Sequence, residues 1–241
     1  MFGGEGMNVL SALVFFAYGP ALALLWYFYH EDRFEPEPKR YVIGTFLLGA
    51  TLSAGVAYLV ESVLTLGGTL RPLLPVSAFY VALVAGVVEE PAKALAIRLP
   101  FRMGQMDGIM DGLVYGAAAG LGFAATENFL YGLGYGVHVT IMRAFLTPFA
   151  HAAWTAVIGV GYGLKAEGKQ VTLGSFFLLA IILHFMWDYF AFLSYAIPAY
   201  NILLILLLLI NVAIIRYFMI AGLEEDAMRF WYYWMRGGGH E

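Results

Sequence analysis

Seven runs of apolar residues, each long enough to cross a bilayer, follow one another along this chain with no connection longer than about a dozen residues. They cover residues 9–29, 41–66, 77–99, 107–133, 140–164, 173–195 and 201–221. The pattern predicts an all-α, polytopic transmembrane bundle, with residues 1–222 as a single helical domain. No loop is large enough to be a soluble domain, so any chemistry must take place among the helices. Residues 223–241 carry acids first and then Phe230-Trp231-Tyr232-Tyr233-Trp234. Aromatic residues favour the headgroup layer, so this stretch is expected to be an interfacial juxtamembrane tail. The first run has span length and no basic region before it, so it is expected to stay as a membrane helix rather than act as a signal peptide.

Composition bounds the rest. The chain is 61% hydrophobic and 12% charged, and its few charges matter by position rather than by sum. No basic patch points to nucleic acid. With no cysteine, disulfides, iron–sulfur clusters and thiol nucleophiles are excluded. Alternating the seven spans puts Arg33, Lys39, Arg40, Arg98, Arg102, Lys165, Lys169, Arg216, Arg229 and Arg236 on one side, against Arg71 and Arg143 near the other. The excess of basic residues predicts a cytoplasmic C-terminus and an outside N-terminus.

Against that apolar background a few residues stand out. Glu89, Glu90 and Lys93 lie in Val87-Val-Glu-Glu-Pro-Ala-Lys93, inside an apolar run. A charge at the centre of a membrane helix costs on the order of 2.5–3.5 kcal/mol on insertion scales. Glu89 and Lys93 are four residues apart and share a helical face, which predicts a pair between them and leaves Glu90 without a local partner. Pro91 is expected to kink this helix. A structural Glu–Lys pair is the plain alternative to a functional site.

Four more polar residues fall on other helices: Glu127 in Phe123-Ala-Ala-Thr-Glu-Asn128, His151 in Pro148-Phe-Ala-His151, and His184 and Asp188 in His184-Phe-Met-Trp-Asp188. At 1.5 Å of rise per residue, Glu89, Glu90, His151 and His184 lie roughly 16–20 Å below the outer ends of their spans, and Glu127 and Asp188 roughly 9–11 Å. They therefore share one slab of the bilayer. His184 and Asp188, four apart, face the same way, so the carboxylate can fix the imidazole tautomer. Pro148 is expected to bend the helix of His151. Arg143, about two turns outward of His151, either binds substrate carbonyls or snorkels to the outer interface.

By contrast, Gly108, Gly112, Gly116 and Gly120, spaced four apart, read as a ridge for close helix packing, as do Gly159, Gly161 and Gly163. Asp107 and Asp111 open their span, where carboxylates suit a helix N-terminus.

Two chemistries fit the intramembrane set. In one, a buried glutamate takes a proton from water, and histidine assists. In the other, His151 and His184 with Glu127 or Asp188 bind a divalent metal such as zinc, and Glu89 or Glu90 is the general base. Both hydrolyse an amide inside the membrane. From another class, a proton- or cation-coupled transporter could relay charge through the same carboxylates, although no internal repeat of the transporter kind is visible. A non-catalytic receptor or immunity protein gripping a partner helix is a third reading.

The stretches Glu89-Glu90-Pro-Ala-Lys93, Phe123-Ala-Ala-Thr-Glu127-Asn128, Pro148-Phe-Ala-His151 and His184-Phe-Met-Trp-Asp188 together resemble the PrsW family of intramembrane proteases, distant relatives of the CAAX prenyl endopeptidases and Abi-type immunity proteins. The four occur in the family's order, each on its own helix. The resemblance implies a multi-pass cell-membrane protease that cuts a membrane-anchored protein with one span, such as an anti-sigma factor, on the extracytoplasmic side. It implies catalytic roles for Glu89, Glu90, Glu127, His151 and His184, with Lys93, Asn128, Arg143 and Asp188 in support. The family is often classed with metalloproteases, which implies zinc or another divalent metal; otherwise water is the only co-reactant.

Overall fold

A computed structural model describes residues 8–67 and 69–235. Of the expected tail only residues 236–241, like residues 1–7, lie outside the described residues. Every regular element among the described residues is helical: α1 (Val9–Glu31), α2 (Lys39–Leu48), α3 (Ala54–Leu64), α4 (Pro75–Arg102), α5 (Ile109–Tyr135), α6 (Val137–Arg143), α7 (Leu146–Ala166), α8 (Leu173–Ser194) and α9 (Asn201–Tyr233), with a π turn at Gly49–Ser53 and a 3-10 turn at Pro198–Tyr200.

Among the described residues, five helical stretches are long and apolar enough to cross a membrane: α1, α2 through α3, α5, α8 and α9. A sixth is counted if α6 and α7 form one bent span. α4, with Glu89, Glu90 and Lys93 in its middle, is outside that set. Large apolar side chains such as Leu10, Trp26, Leu59, Ile205 and Leu209 are exposed, as expected of surfaces that meet lipid.

The bundle is built around α5. Its apolar window is 89% buried, against 22% for α1, α8 and α9. Glycines make this possible. A Cβ on Gly112 or Gly120 would meet the backbone of Gly159 or His151, and one on Gly116 would meet the Thr155 carbonyl at 2.6 Å. α5 and α7 therefore touch backbone to backbone. Gly108 departs from the ridge: it precedes α5 in extended conformation, facing Glu225 and Arg229. Gly163 faces Gly108, whereas Gly161 packs on Phe176 of α8. Gly116→Leu is expected to destabilise the protein by about 1–3 kcal/mol through overpacking, read as a lower melting temperature in detergent. An unchanged melting temperature would mean the α5–α7 contact is looser than this geometry.

The second span is continuous from Lys39 to Leu64 through the π turn. A π turn disturbs the i→i−4 ladder, and Thr126 Oγ1 of α5 donates to the Ala50 carbonyl there, at 2.7 Å.

Two local expectations change. The fifth apolar run is broken between α6 and α7, at Ala144–Phe145, with a bend of 51°. Pro148 lies in the first turn of α7, where a missing amide hydrogen costs nothing, so the bend precedes the proline. α9 also extends past residue 221 without interruption to Tyr233.

Candidate active site

Four helices bring the intramembrane polar residues together. α4 supplies Glu89, Glu90 and Lys93, α5 supplies Glu127 and Asn128, α7 supplies His151, and α8 supplies His184 and Asp188. Small residues set the approach. A Cβ on Gly86 would meet the Ile181 carbonyl of α8 at 3.0 Å, one turn from both Glu89 and His184. Gly120 seats α5 on the His151 backbone in the same way.

Lys93 is wholly buried and sits at the hub. Its Nζ donates to Glu90 Oε1 at 2.7 Å, bonds His151 Nδ1 at 2.8 Å and pairs with Glu89 Oε2 at 3.0 Å. The Phe123 ring lies beneath it, 4.3 Å from centroid to Nζ. The expected Glu89–Lys93 pair is thus present, but Glu90 is not left alone. It also accepts from Thr155 Oγ1 at 3.1 Å and is bonded to His184 Nδ1 at 2.9 Å. Three residues apart is as good a helical spacing as four, so one ammonium reaches both carboxylates.

These contacts assign the imidazoles. An ammonium has only hydrogens to offer, so His151 Nδ1 accepts from Lys93 and Nε2 carries the proton, facing Glu127 Oε2 at 3.1 Å. A carboxylate has only lone pairs, so His184 Nδ1 donates to Glu90, leaving Nε2 toward Asp188 at 3.4 Å and Glu89 at 3.7 Å. Trp154 stacks on His184, with ring centroids 4.3 Å apart, and Phe123 stacks on His151. Glu89 differs from its neighbour. Its Oε2 is buried with no hydrogen-bonded donor, yet lies 3.7 Å from His184 Nε2 and 3.9 Å from His151 Nδ1.

Toward one side the site is less enclosed. The side chains of Glu127, Arg143 and Asp188 are 19%, 23% and 26% exposed, while Glu89, Glu90 and both histidines are buried. Arg143 turns inward rather than snorkelling. Its guanidinium donates to Glu127 Oε2 at 2.7 Å and Asn128 Oδ1 at 2.8 Å and lies 4.0 Å over the Tyr131 ring. Thr147 Oγ1 lies 3.0 Å from the same Asn128 oxygen.

The three side chains whose ligand atoms converge, all within 4.8 Å of one another, are Glu89, His151 and His184. The sequence grouped the histidines with Glu127 or Asp188 instead. In the structure Glu127 is held by Arg143, and neither it nor Asp188 joins that group. One carboxylate and two imidazoles are a donor set suited to zinc, and Glu89 Oε2, held only by its ion pair with Lys93, is the oxygen such an ion would take. Lys93 contacts two of the three, Glu89 and His151, so its ammonium competes with an ion for their donor atoms.

Glu61 on α3 is the residue that sequence reasoning missed. Its Oε1 is buried without a hydrogen-bond partner, and it shares the field of Glu89, Glu127, His184 and Asp188. A carboxylate in an apolar run was the available signal. Thr155 and Trp154, which contact Glu90 and His184, carry no such signal.

The profile described as PrsW family intramembrane metalloprotease matches residues 37–228. Protease PrsW of Geobacillus kaustophilus (strain HTA426) is 32% identical over 184 residues, spanning 75% of this chain and 80% of that protein. Protease PrsW of Bacillus subtilis (strain 168) is 32% identical over 190 residues, spanning 75% and 83%. Protease PrsW of Clostridioides difficile (strain 630) is 30% identical over 190 residues, spanning 73% and 77%. No solved structure matches this chain.

Proposed function

Because this chain belongs to the PrsW family of intramembrane metalloproteases and is a membrane-embedded protease, we propose that it cuts a peptide bond of a single-span, membrane-anchored protein, an anti-sigma factor being the substrate class, with Glu89 as the carboxylate that activates water. The placing of Glu89 carries this reading: a buried carboxylate oxygen whose one close partner is the Lys93 ammonium at 3.0 Å, between two imidazoles. Glu90 has its acceptors occupied by Lys93, Thr155 and His184, which suits a residue that holds others still.

In the proposed reaction Glu89 takes a proton from water as its oxygen attacks the substrate carbonyl carbon. The carbonyl oxygen becomes an oxyanion, which an imidazole N–H or the Lys93 ammonium can stabilise. The proton then passes from Glu89 to the amide nitrogen, and the C–N bond breaks. Glu90 orients His184, and Glu127 orients His151. Arg143 and Asp188 line the more open side, where an unwound substrate backbone would enter. A zinc-type ion held by Glu89, His151 and His184 would supply Lewis-acid polarisation of the carbonyl and a more acidic water.

The same reading takes seven crossings: the five apolar stretches, the bent α6–α7 pair and α4. The N-terminus is placed outside by the basic residues, so the open side faces outward. The protease domain then extends past the expected boundary at 222, since α9 runs on to Tyr233 with Asp226 buried and the family match ends at residue 228.

The test uses purified protein in liposomes with a membrane-anchored single-span substrate. Cleavage is expected to fall after chelation and return with zinc, with about one metal ion per chain by elemental analysis. Full cleavage by metal-free protein would assign the chemistry to Glu89 and the histidines alone. Absence of cleavage under every metal condition with anti-sigma substrates would remove that substrate class.

A further inference from the structure

A second group of buried carboxylates lies at the other end of the bundle. Asp32 and Glu37 come from the loop between α1 and α2, and Asp111 from the first turn of α5. All three are buried, and their ligand atoms lie within 4.8 Å of one another. Asp111 and Glu127 are sixteen residues apart on α5, about 24 Å of helix rise, so this group is separate from the candidate active site.

Among the described residues no cation pairs with Asp32, Glu37 or Asp111. Glu37 accepts from the Tyr115 hydroxyl, and Asp111 Oδ2 accepts from the Asp107 amide at 2.6 Å. Asp32, only 2% exposed, has the Glu35 and Glu37 backbone amides beside it but no side-chain donor on either oxygen. From a different helix, α9, comes Asp226, 4% exposed, in the field of Asp111 and Asp32, with Oδ2 unpartnered. Arg229, one turn further on, is engaged with Asp107 at 2.5 Å, Glu167 at 3.2 Å and Glu225 at 3.6 Å. Burial first, and then the Asp111 charge, pushes the Asp32 carboxyl up to about 7 and that of Glu37 up to about 9. Negative charge without a partner is costly here. A cleft lined by Glu35, Glu37, Gln105, Asp107 and Asp111 connects the group to the surface.

We propose that Asp32, Glu37 and Asp111, with Asp226 beside them, bind a hard divalent cation, Mg²⁺ or Ca²⁺. The donors are carboxylate oxygens with no nitrogen or sulfur, the preference of these ions rather than of zinc. Separations up to 4.8 Å suit oxygens on opposite sides of an ion with bonds of about 2.0–2.6 Å. The ion ties the α1–α2 loop to the start of α5 and to α9, and it stabilises the protein without taking part in peptide cleavage. The site stands whether or not the proposed proteolytic chemistry holds.

Melting of the purified full chain in detergent tests this, with Mg²⁺ and Ca²⁺ added separately. In a Glu89→Gln background, which weakens the other group of ligands, the melting temperature is expected to rise saturably, by about 5–10 °C at roughly a hundredfold excess over the dissociation constant. Asp32→Asn and Asp226→Asn are expected to lose that shift. Mn²⁺ counted by electron paramagnetic resonance should give one ion per chain, lost in Asp32→Asn. If Asp32→Asn fails to fold, Asp226→Asn and the Mn²⁺ count decide. Absence of a saturable shift with either ion, together with higher cation-free melting of Asp32→Asn, would overturn the site in favour of carboxyls sharing protons. A shift kept by both aspartate variants would overturn it as well.

Discussion

Glu89→Gln is expected to lower cleavage of a membrane-anchored substrate by about 10²–10⁴-fold, the range that a positioned general base contributes, with little change in melting temperature. Glutamine keeps the shape of the side chain but cannot hold the water proton. Most of the stability should survive because Glu90 still answers the Lys93 ammonium at 2.7 Å, and the glutamine carbonyl can still accept from Lys93 where Glu89 paired with it at 3.0 Å. Glu90→Gln makes the contrast. It weakens contacts to Lys93, Thr155 and His184 together, so it should lower both activity and melting temperature. Turnover of Glu89→Gln at the parent rate would remove that residue from the chemistry. Equal loss of stability in the two variants would mean that Glu89 is structural.

Lys93→Met is expected to have the largest effect on stability. It leaves Glu89 and Glu90 charged and unanswered in a buried site, and breaking a buried ion pair from one side costs about 3–5 kcal/mol. For a chain of this size that is a fall of about 6–20 °C in melting temperature. Adding Glu90→Gln should recover part of the loss, because one of the two uncompensated charges is gone; a double-mutant cycle reads the coupling. Independent, additive losses would show that the ammonium is not what holds Glu90. Lys93→Arg should not rescue fully, because a planar guanidinium cannot replace a compact ammonium bonded to Glu90 and His151 and set over Phe123.

The candidate site was legible for a simple reason. Glu89, Glu90, Glu127, His151, His184 and Asp188 are ionisable residues in apolar runs, and counting helical rise from the run ends already put them in one slab. Glu61 obeys the same rule, yet it sits near the end of its run, where a charge is cheap and draws little notice. The division of labour between Glu89 and Glu90 was not legible, since adjacent carboxylates look alike until Thr155 and His184 are seen to occupy one of them. Asp32, Glu37 and Asp226 were hidden for the opposite reason: acids in loops and beyond the last apolar run are ordinary until three parts of the chain bury them together.

Chain order alone therefore determined that this protein is a bundle of membrane-length helices and which side chains within them had to be accounted for, because the cost of placing a charge in hydrocarbon depends on one residue and its depth. Helical spacing gives the Lys93 pairs with Glu89 and Glu90, but which partners reach a charge from other helices was decided only by the tertiary structure. Lys93 of α4 meets His151 of α7, and Glu90 meets His184 of α8, where separate helices pack together, and Gly86 lets α4 and α8, as Gly112, Gly116 and Gly120 let α5 and α7, approach to backbone contact. Hydrogen bonds and ion pairs act over a few ångströms, a distance that helix packing sets and residue spacing along a single helix does not.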